Sequence, residues 1–391
     1  MKNLFKWPKE IYIFLLAEFV ISLEFLGVIL LIFFKDWGGL SQTEVQILQS
    51  WFIFWTFVLE IPTGIFADIR GKKFSVILGA IFLIVGFFVY TIEANIVIFL
   101  FAEFLLALGI ALQSGAHEGW MYDRVKSLKI KKDYRKITIV NSNMKMLGMI
   151  VAAIIFPVSV AHLSVENIVR VSIIPIAISM LLLLLFVKKD KQKNGFEAVS
   201  YKKVAQEGYK ILKNNTKLRS IAIYSTILAS TAYFVIWLYQ EVLLNLNVDK
   251  ELFGFYRIIL LLSQIVFVWM MGKWIEKQGK QKAMIGIGLL VSVGFLIAGL
   301  VQNILGVIAL LILSGGLGLQ VRQVFSKEIN EEIDDIQRST VLSFIGMIKR
   351  SMLIFLNPVV GILVDTRGVF LTFILLGIVS LISILKTKKC I

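Results

Sequence analysis

Little in this sequence can hold a metal or carry redox chemistry. Its one cysteine, Cys390, is next to the last residue, so neither a disulfide framework nor a cysteine metal site can form within one chain. The two histidines, His117 and His162, fall in different loop or helix-end regions, which argues against a histidine metal site. There is no Gly-Lys-Ser/Thr phosphate loop, so ATP does not drive the chain from within, and no nucleophile triad stands out. No cofactor is expected, and the chain is not expected to be an enzyme. Only 17% of residues are charged, which leaves no stretch polar enough for a soluble domain.

Hydrophobic residues make up 58% of the chain, with 30 phenylalanines, and the mean hydropathy is +0.83. Apolar runs of about 20 residues, each enough to cross a bilayer, recur along the whole length. In lipid such runs must be helices, because every backbone polar group has to be paired internally. Twelve spans are expected, at 10–34, 43–67, 74–92, 96–122, 137–160, 168–187, 218–244, 252–271, 283–301, 304–326, 338–360 and 368–385. This predicts an all-α integral membrane protein with twelve transmembrane helices in two six-helix bundles. The bundles are 1–187 and 218–391, joined by a central loop at 188–217. Within that loop, 198–212 carries apolar residues at helical spacing, which predicts an amphipathic helix on the membrane surface or a charged linker.

The net charge of +15 has a location. Lys and Arg crowd alternate loops, and the other set holds only Lys35, Lys250 and Arg367 as exceptions. The positive-inside rule then places both termini and the central loop in the cytoplasm of a cell-membrane protein. That asymmetry accounts for the basic loops without nucleic acid as a partner. The run from Ile11 to Phe34 is too long for a cleavable signal, and no small-residue cleavage site follows it.

One loop signature occurs twice. Gly64 is followed by Asp68 four residues on, Gly71 seven on and Lys72 eight on; Gly272, Glu276, Gly279 and Lys280 repeat the spacing. Ser114-Gly115 likewise has a counterpart in Ser314-Gly315. Two related six-helix halves around a midplane site is a recurrent transporter plan. Glu60, Gly64 and Asp68 share one helix face, on which Gly64 lets a neighbouring helix approach closely. Asp68 can accept from a facing helix N-terminus, and Lys72 can pair with Asp123.

On these residues the chain resembles the major facilitator superfamily, whose signature reads Gly-x-x-x-Asp-Arg-x-Gly-Arg-Lys. Gly64, Asp68, Gly71, Lys72 and Lys73 match it, whereas Ile69 takes the place of the Arg and Arg70 follows one position later. The resemblance implies a monomeric secondary transporter with alternating access. It also implies that Asp68 latches onto helix 11, with Gly272, Glu276, Gly279 and Lys280 as the echo in the second half. Glu60 to Gly64 and Ser114 to Asp123 are similar to a bacterial group of drug and small-molecule exporters. Proton-coupled efflux of lipophilic drugs is therefore the favoured expectation, and a proton symporter or facilitator for a small anionic or amphiphilic solute is the alternative.

A charge inside the bilayer costs about 2.5–3.5 kcal/mol on insertion scales, so each needs a reason. The acids are Glu18, Glu24, Glu60, Glu103 and Glu118; the bases are Lys145, Arg257, Lys349 and Arg350. On one continuous helix Glu18 and Glu24 point about 120° apart, and either suits proton coupling. Glu60 with Lys349 or Arg350, and Glu118 with Lys145, are candidate structural pairs. Lys145 and Lys349 occupy equivalent places in helices 5 and 11 and can instead anchor an anionic substrate. Tyr233 and Trp237, four apart, are candidate substrate contacts. Trp37, Trp269 and Trp274 read as interfacial anchors.

Overall fold

The computed structural model describes residues 7–188, 201–334 and 337–385. Part of the expected central loop, 189–200, and the basic end of the chain with Cys390 lie outside the described residues. Eleven helical stretches are long and apolar enough to cross a membrane, and Val369–Ser383 is a shorter apolar helix that completes twelve. The chain divides into two compact units. Unit 1 is Met1–Leu40 with Trp51–Ala198, and unit 2 is Ser41–Ser50 with Val199–Ile391.

Unit 1 contains α1 (Lys9–Ile21), α2 (Leu26–Ile32), α3 (Gln42–Arg70, whose first turns group with unit 2) and α4 (Lys72–Tyr90). It continues with α5 (Ile96–Gln113), α6 (Ala116–Ser127), α7 (Tyr134–His162), α8 (Val165–Val171) and α9 (Ile173–Phe186). Its core at one end is Phe14, Trp120, Met121 and Val125. The rings of Phe14 and Trp120 meet edge to face at 4.9 Å, and Trp120 Nε1 donates to the Lys188 carbonyl at 3.0 Å. At the other end Phe33, Phe34, Tyr90 and Phe99 form an aromatic cluster on which Trp37 stacks. Trp37 is thus half-buried against protein as well as placed at a helix end.

Unit 2 contains α10 (Tyr201–Asn214), α11 (Thr216–Asn245), α12 (Phe253–Gln278), α13 (Lys280–Val301) and α14 (Ile304–Ala309). After α14 comes a π-helical segment, Leu310–Leu317, then α15 (Val321–Val324), α16 (Ser326–Glu331), α17 (Arg338–Arg367) and α18 (Val369–Ser383). The amphipathic helix α10 docks its apolar side, with Val204 and Leu212 buried, on α17. Gly208 lies where Phe344 leaves no room for a side chain.

Three spans depart from the continuous helices that hydropathy predicts. The first breaks at Ser22–Phe25 between α1 and α2, so Glu24 is outside regular helix. The expected 120° relation between Glu18 and Glu24 therefore does not hold. No Pro or Gly causes this break. α1 ends in a tightened turn, with Leu23 N–H donating to Val20 O at 3.1 Å, where the Gly148 backbone presses against the Phe19 carbonyl. The fourth span breaks between α5 and α6 at Ser114 and Gly115, the latter with φ +70°. The tenth span has its π segment at the corresponding Ser314-Gly315. Both halves thus interrupt the same span at the same dipeptide. Interrupted helices in a membrane are tolerated where they are buried in protein or line a cavity, and π segments concentrate at functional sites.

Candidate functional site

The break between α5 and α6 places two ionisable residues, His117 and Glu118, at the start of α6. His117 Nδ1 stands 3.9 Å from Glu18 Oε2 of α1, with both side chains largely shielded. Glu118 and Lys145 of α7 also act electrostatically on His117. Four ionisable groups from three helices therefore converge within unit 1. His117 was passed over as a metal ligand in the sequence. Its place beside Glu18 arises from the turn at Gly115, which periodicity does not reveal. The Phe14 ring packs edge-on against His117 at 5.7 Å and closes one side of the group. Glu103 is elsewhere: it is buried in α5 and hydrogen-bonds the Tyr90 hydroxyl. That contact gives Glu103 a packing role. Glu24 is exposed in the break.

Unit 2 gathers bases. Lys349 of α17 has Arg322 and Arg350 as its charged neighbours, and Arg322 also feels Arg350. Arg322 sits on α15, just past the π segment and a turn at Leu319–Gln320, and its Nη2 donates to the Leu342 carbonyl at 3.1 Å. Arg322 is not legible as a site residue in the sequence, because it falls near the end of the expected tenth span, 304–326, and hydropathy does not show the π segment before it. Arg257 of α12 stands near Tyr239 of α11. On α11 the rings of Tyr233 and Trp237 are 6.5 Å apart. The Trp237 indole Nε1 is buried with no hydrogen-bond partner among the described residues. A donor left unpaired in this way has a reason to meet an acceptor from elsewhere.

The repeated loop is a structural repeat. Gly71 and Gly279 both adopt positive φ, +99° and +82°, and each begins the next helix. In both, the glycine N–H donates four residues back, to Ala67 and Ile275. A side chain at either φ is strained, which is why glycine stands there. The following lysines pair alike. Lys72 Nζ donates to Asp123 Oδ2 at 2.5 Å in unit 1, and Lys280 Nζ stands 3.6 Å from Glu332 Oε1 in unit 2. Lys73 donates to the carbonyls of Leu184 and Val187 and caps the end of α9. Arg124 forks onto both oxygens of Glu10 at 2.8 and 3.1 Å. Asp68 and Arg70 lie on the last turn of α3, and Glu276 on the last turn of α12. A side chain at Gly64 would meet nothing within 4 Å, and Gly272 is equally open.

A double-mutant cycle tests the Lys72–Asp123 contact. Both side chains are mostly shielded, at 18% and 24% exposure, so the pair is not an ordinary surface bridge. Lys72→Ala, Asp123→Ala and the double variant should give a coupling energy of about 1 kcal/mol or more in thermal unfolding in detergent. Strict additivity would show that the contact contributes nothing.

A membrane domain of interrupted helices with repeated helix–glycine–helix loops is a transporter architecture. A family model described as Major Facilitator Superfamily matches residues 13–323, and the chain belongs to that family. A search of curated proteins finds no match. Solved structures with the same fold include the nucleoside transporter NupG, with a TM-score of 0.77, 13% identity, and 97% of this chain and 98% of that one covered. A POT family transporter in complex with 5-aminolevulinic acid gives 0.73 at 16% identity, covering 98% and 96%. A bacterial homologue of the human lysosomal transporter Spinster, in an inward-facing and unoccupied conformation, gives 0.73 at 13%, covering 97% and 96%. At these identities the likeness is one of fold.

Proposed function

We propose that this transporter couples protons to the movement of a small organic solute that carries an anionic group. The observation that carries this reading is the way membrane-depth charge is divided. Unit 1 holds an acid–histidine contact, Glu18 with His117, where a proton can reside on either group. In unit 2, Arg322 and Arg350 act on Lys349 as like charges, and a group of bases at this depth supports an anionic group on the solute. Glu18 and His117 are the proton carriers in this reading, with Glu118 and Lys145 setting their balance. Arg322, Lys349 and Arg350 receive the anionic group, and Trp237 Nε1 offers a further donor. The basic loops face the cytoplasm of a cell membrane, and the working unit is a monomer.

Export of lipophilic drugs is the second reading, and α3 favours it. Trp51, Phe54 and Trp55 form a run of ring contacts on this helix, Phe104 of α5 joins them, and Phe54 remains 40% exposed. An amphiphile with an acidic head would satisfy both readings. The test is transport in proteoliposomes with an imposed pH gradient and an internal pH dye, screening organic anions against lipophilic cations. Anion-dependent proton flux supports the proposal. Proton flux with lipophilic cations alone overturns it in favour of the second reading.

A further inference from the structure

A third copy of the repeated loop lies at the end of α17. Gly361-Ile362-Leu363-Val364-Asp365-Thr366-Arg367-Gly368 carries Gly, Ile, Asp, Arg and Gly at the offsets they hold in Gly64 to Gly71. It also has the same backbone. Gly368 has φ +85°, donates to Val364 O at 2.9 Å and begins α18. Six spans separate the Gly71 loop from the Gly279 loop, and nine separate it from the Gly368 loop. The even count puts the first two on one side of the membrane. The odd count puts the third on the other.

This third copy is engaged. Asp365 accepts from the N–H of Gln42 at 3.1 Å and of Thr43 at 2.7 Å, and from the Thr43 hydroxyl at 2.6 Å. These are the first two amides of α3, which no intrahelical carbonyl can satisfy. Ser41 and Glu44 complete the cap among themselves. Ser41 Oγ takes the Glu44 N–H, and Glu44 takes the Ser41 N–H and hydroxyl. The local cap thus leaves two donors for a carboxylate from outside the helix. At Gly361 the Thr43 Cα would be 2.6 Å from any added Cβ, so the two backbones touch. Lower down, Ser50 Oγ donates to Ile354 O at 2.9 Å.

The two segments bury polar groups beside apolar ones such as Val45, Leu48, Leu353 and Val360. Gln42, Gln46 and Asn357 are fully buried, and their carboxamides have no hydrogen-bond partner among the described residues. A permanent contact would pair these amides, since an unpaired buried amide opposes the closed state. Residues 41–50 also group with unit 2, whereas α3 from Trp51 onward belongs to unit 1.

We propose that Asp365 and Gly361 form a releasable clasp on the head of α3, closed in this structure and opened during transport. Release transfers the two amides and the three carboxamides to water. The exposed position of Asp365 makes that exchange inexpensive.

The test is the rate at which Gln46→Cys reacts with a membrane-impermeant thiol reagent, in a Cys390→Ser background in proteoliposomes. Asp365→Ala and, separately, Gly361→Ala should each speed labelling about tenfold or more. Ser292→Cys, buried between α13 and α18, reports unfolding and should stay protected. Faster labelling at residue 46 with protection kept at 292 supports the clasp. Unchanged labelling at 46 in both variants overturns it. Equal acceleration at both positions overturns it too, because the effect would then be general loosening.

Discussion

Glu18→Gln should abolish substrate-coupled proton movement while substrate exchange across proteoliposomes without a gradient continues. The side chain keeps its size and one acceptor oxygen, so α1 still packs on α7 and α9. What is lost is the group that changes charge. Glu18 Oε2 stands 3.9 Å from His117 Nδ1, and in the proposed mechanism the proton passes through this contact. With Gln, the histidine loses its anionic partner and the pair no longer cycles. Removing a positioned proton-transfer group typically costs about 100-fold or more, and coupled flux should fall by that order. His117→Gln should do the same, whereas Glu103→Gln should not, because Glu103 is occupied by Tyr90. Coupled flux that survives both Glu18→Gln and His117→Gln would remove this contact from the mechanism.

Span positions follow from hydropathy, since a bilayer admits only helices of a fixed length, and the expected twelve are present. Lys72 with Asp123 was legible because each stands at the end of a span on the same side of the membrane. Interruptions within spans were not legible. Ser22–Phe25 contains no breaker residue, and its break depends on α7 packing against it, which is tertiary information. The turn at Gly115 carries φ +70°, but an apolar run around a glycine reads as helix until the angle is seen. Those interruptions decide which charges meet, so Glu18, His117, Glu118 and Lys145 could be named only in part. The third loop copy was hidden for another reason. Loop charge draws attention to the basic side of the membrane, and Arg367 is one of the few exceptions in the other set of loops.

Lys349→Met should weaken handling of an anionic solute without weakening the fold, and this combination distinguishes a binding role from a structural one. A lysine in a stabilising ion pair leaves its partner buried and unpaired when removed, and stability falls. Arg322 and Arg350 act on Lys349 as like charges, so its removal relieves that repulsion. Methionine fills the same volume with an unbranched apolar chain. The melting temperature of the purified protein in detergent should therefore stay level or rise. Transport should respond in the opposite direction. Loss of one cation from a shielded anion site costs about 2 kcal/mol or more, which is a rise in KM of about 30-fold. Arg322→Met should act in the same sense, with a smaller gain in stability because its bond to the Leu342 carbonyl is also lost. Arg322→Lys should recover only part of the affinity, since an ammonium cannot fork onto a carboxylate or phosphate. A fall in melting temperature with an unchanged KM would make these bases structural. The acid–histidine group of unit 1 would then have to account for selectivity as well as coupling, and a cationic or neutral solute would become the better fit.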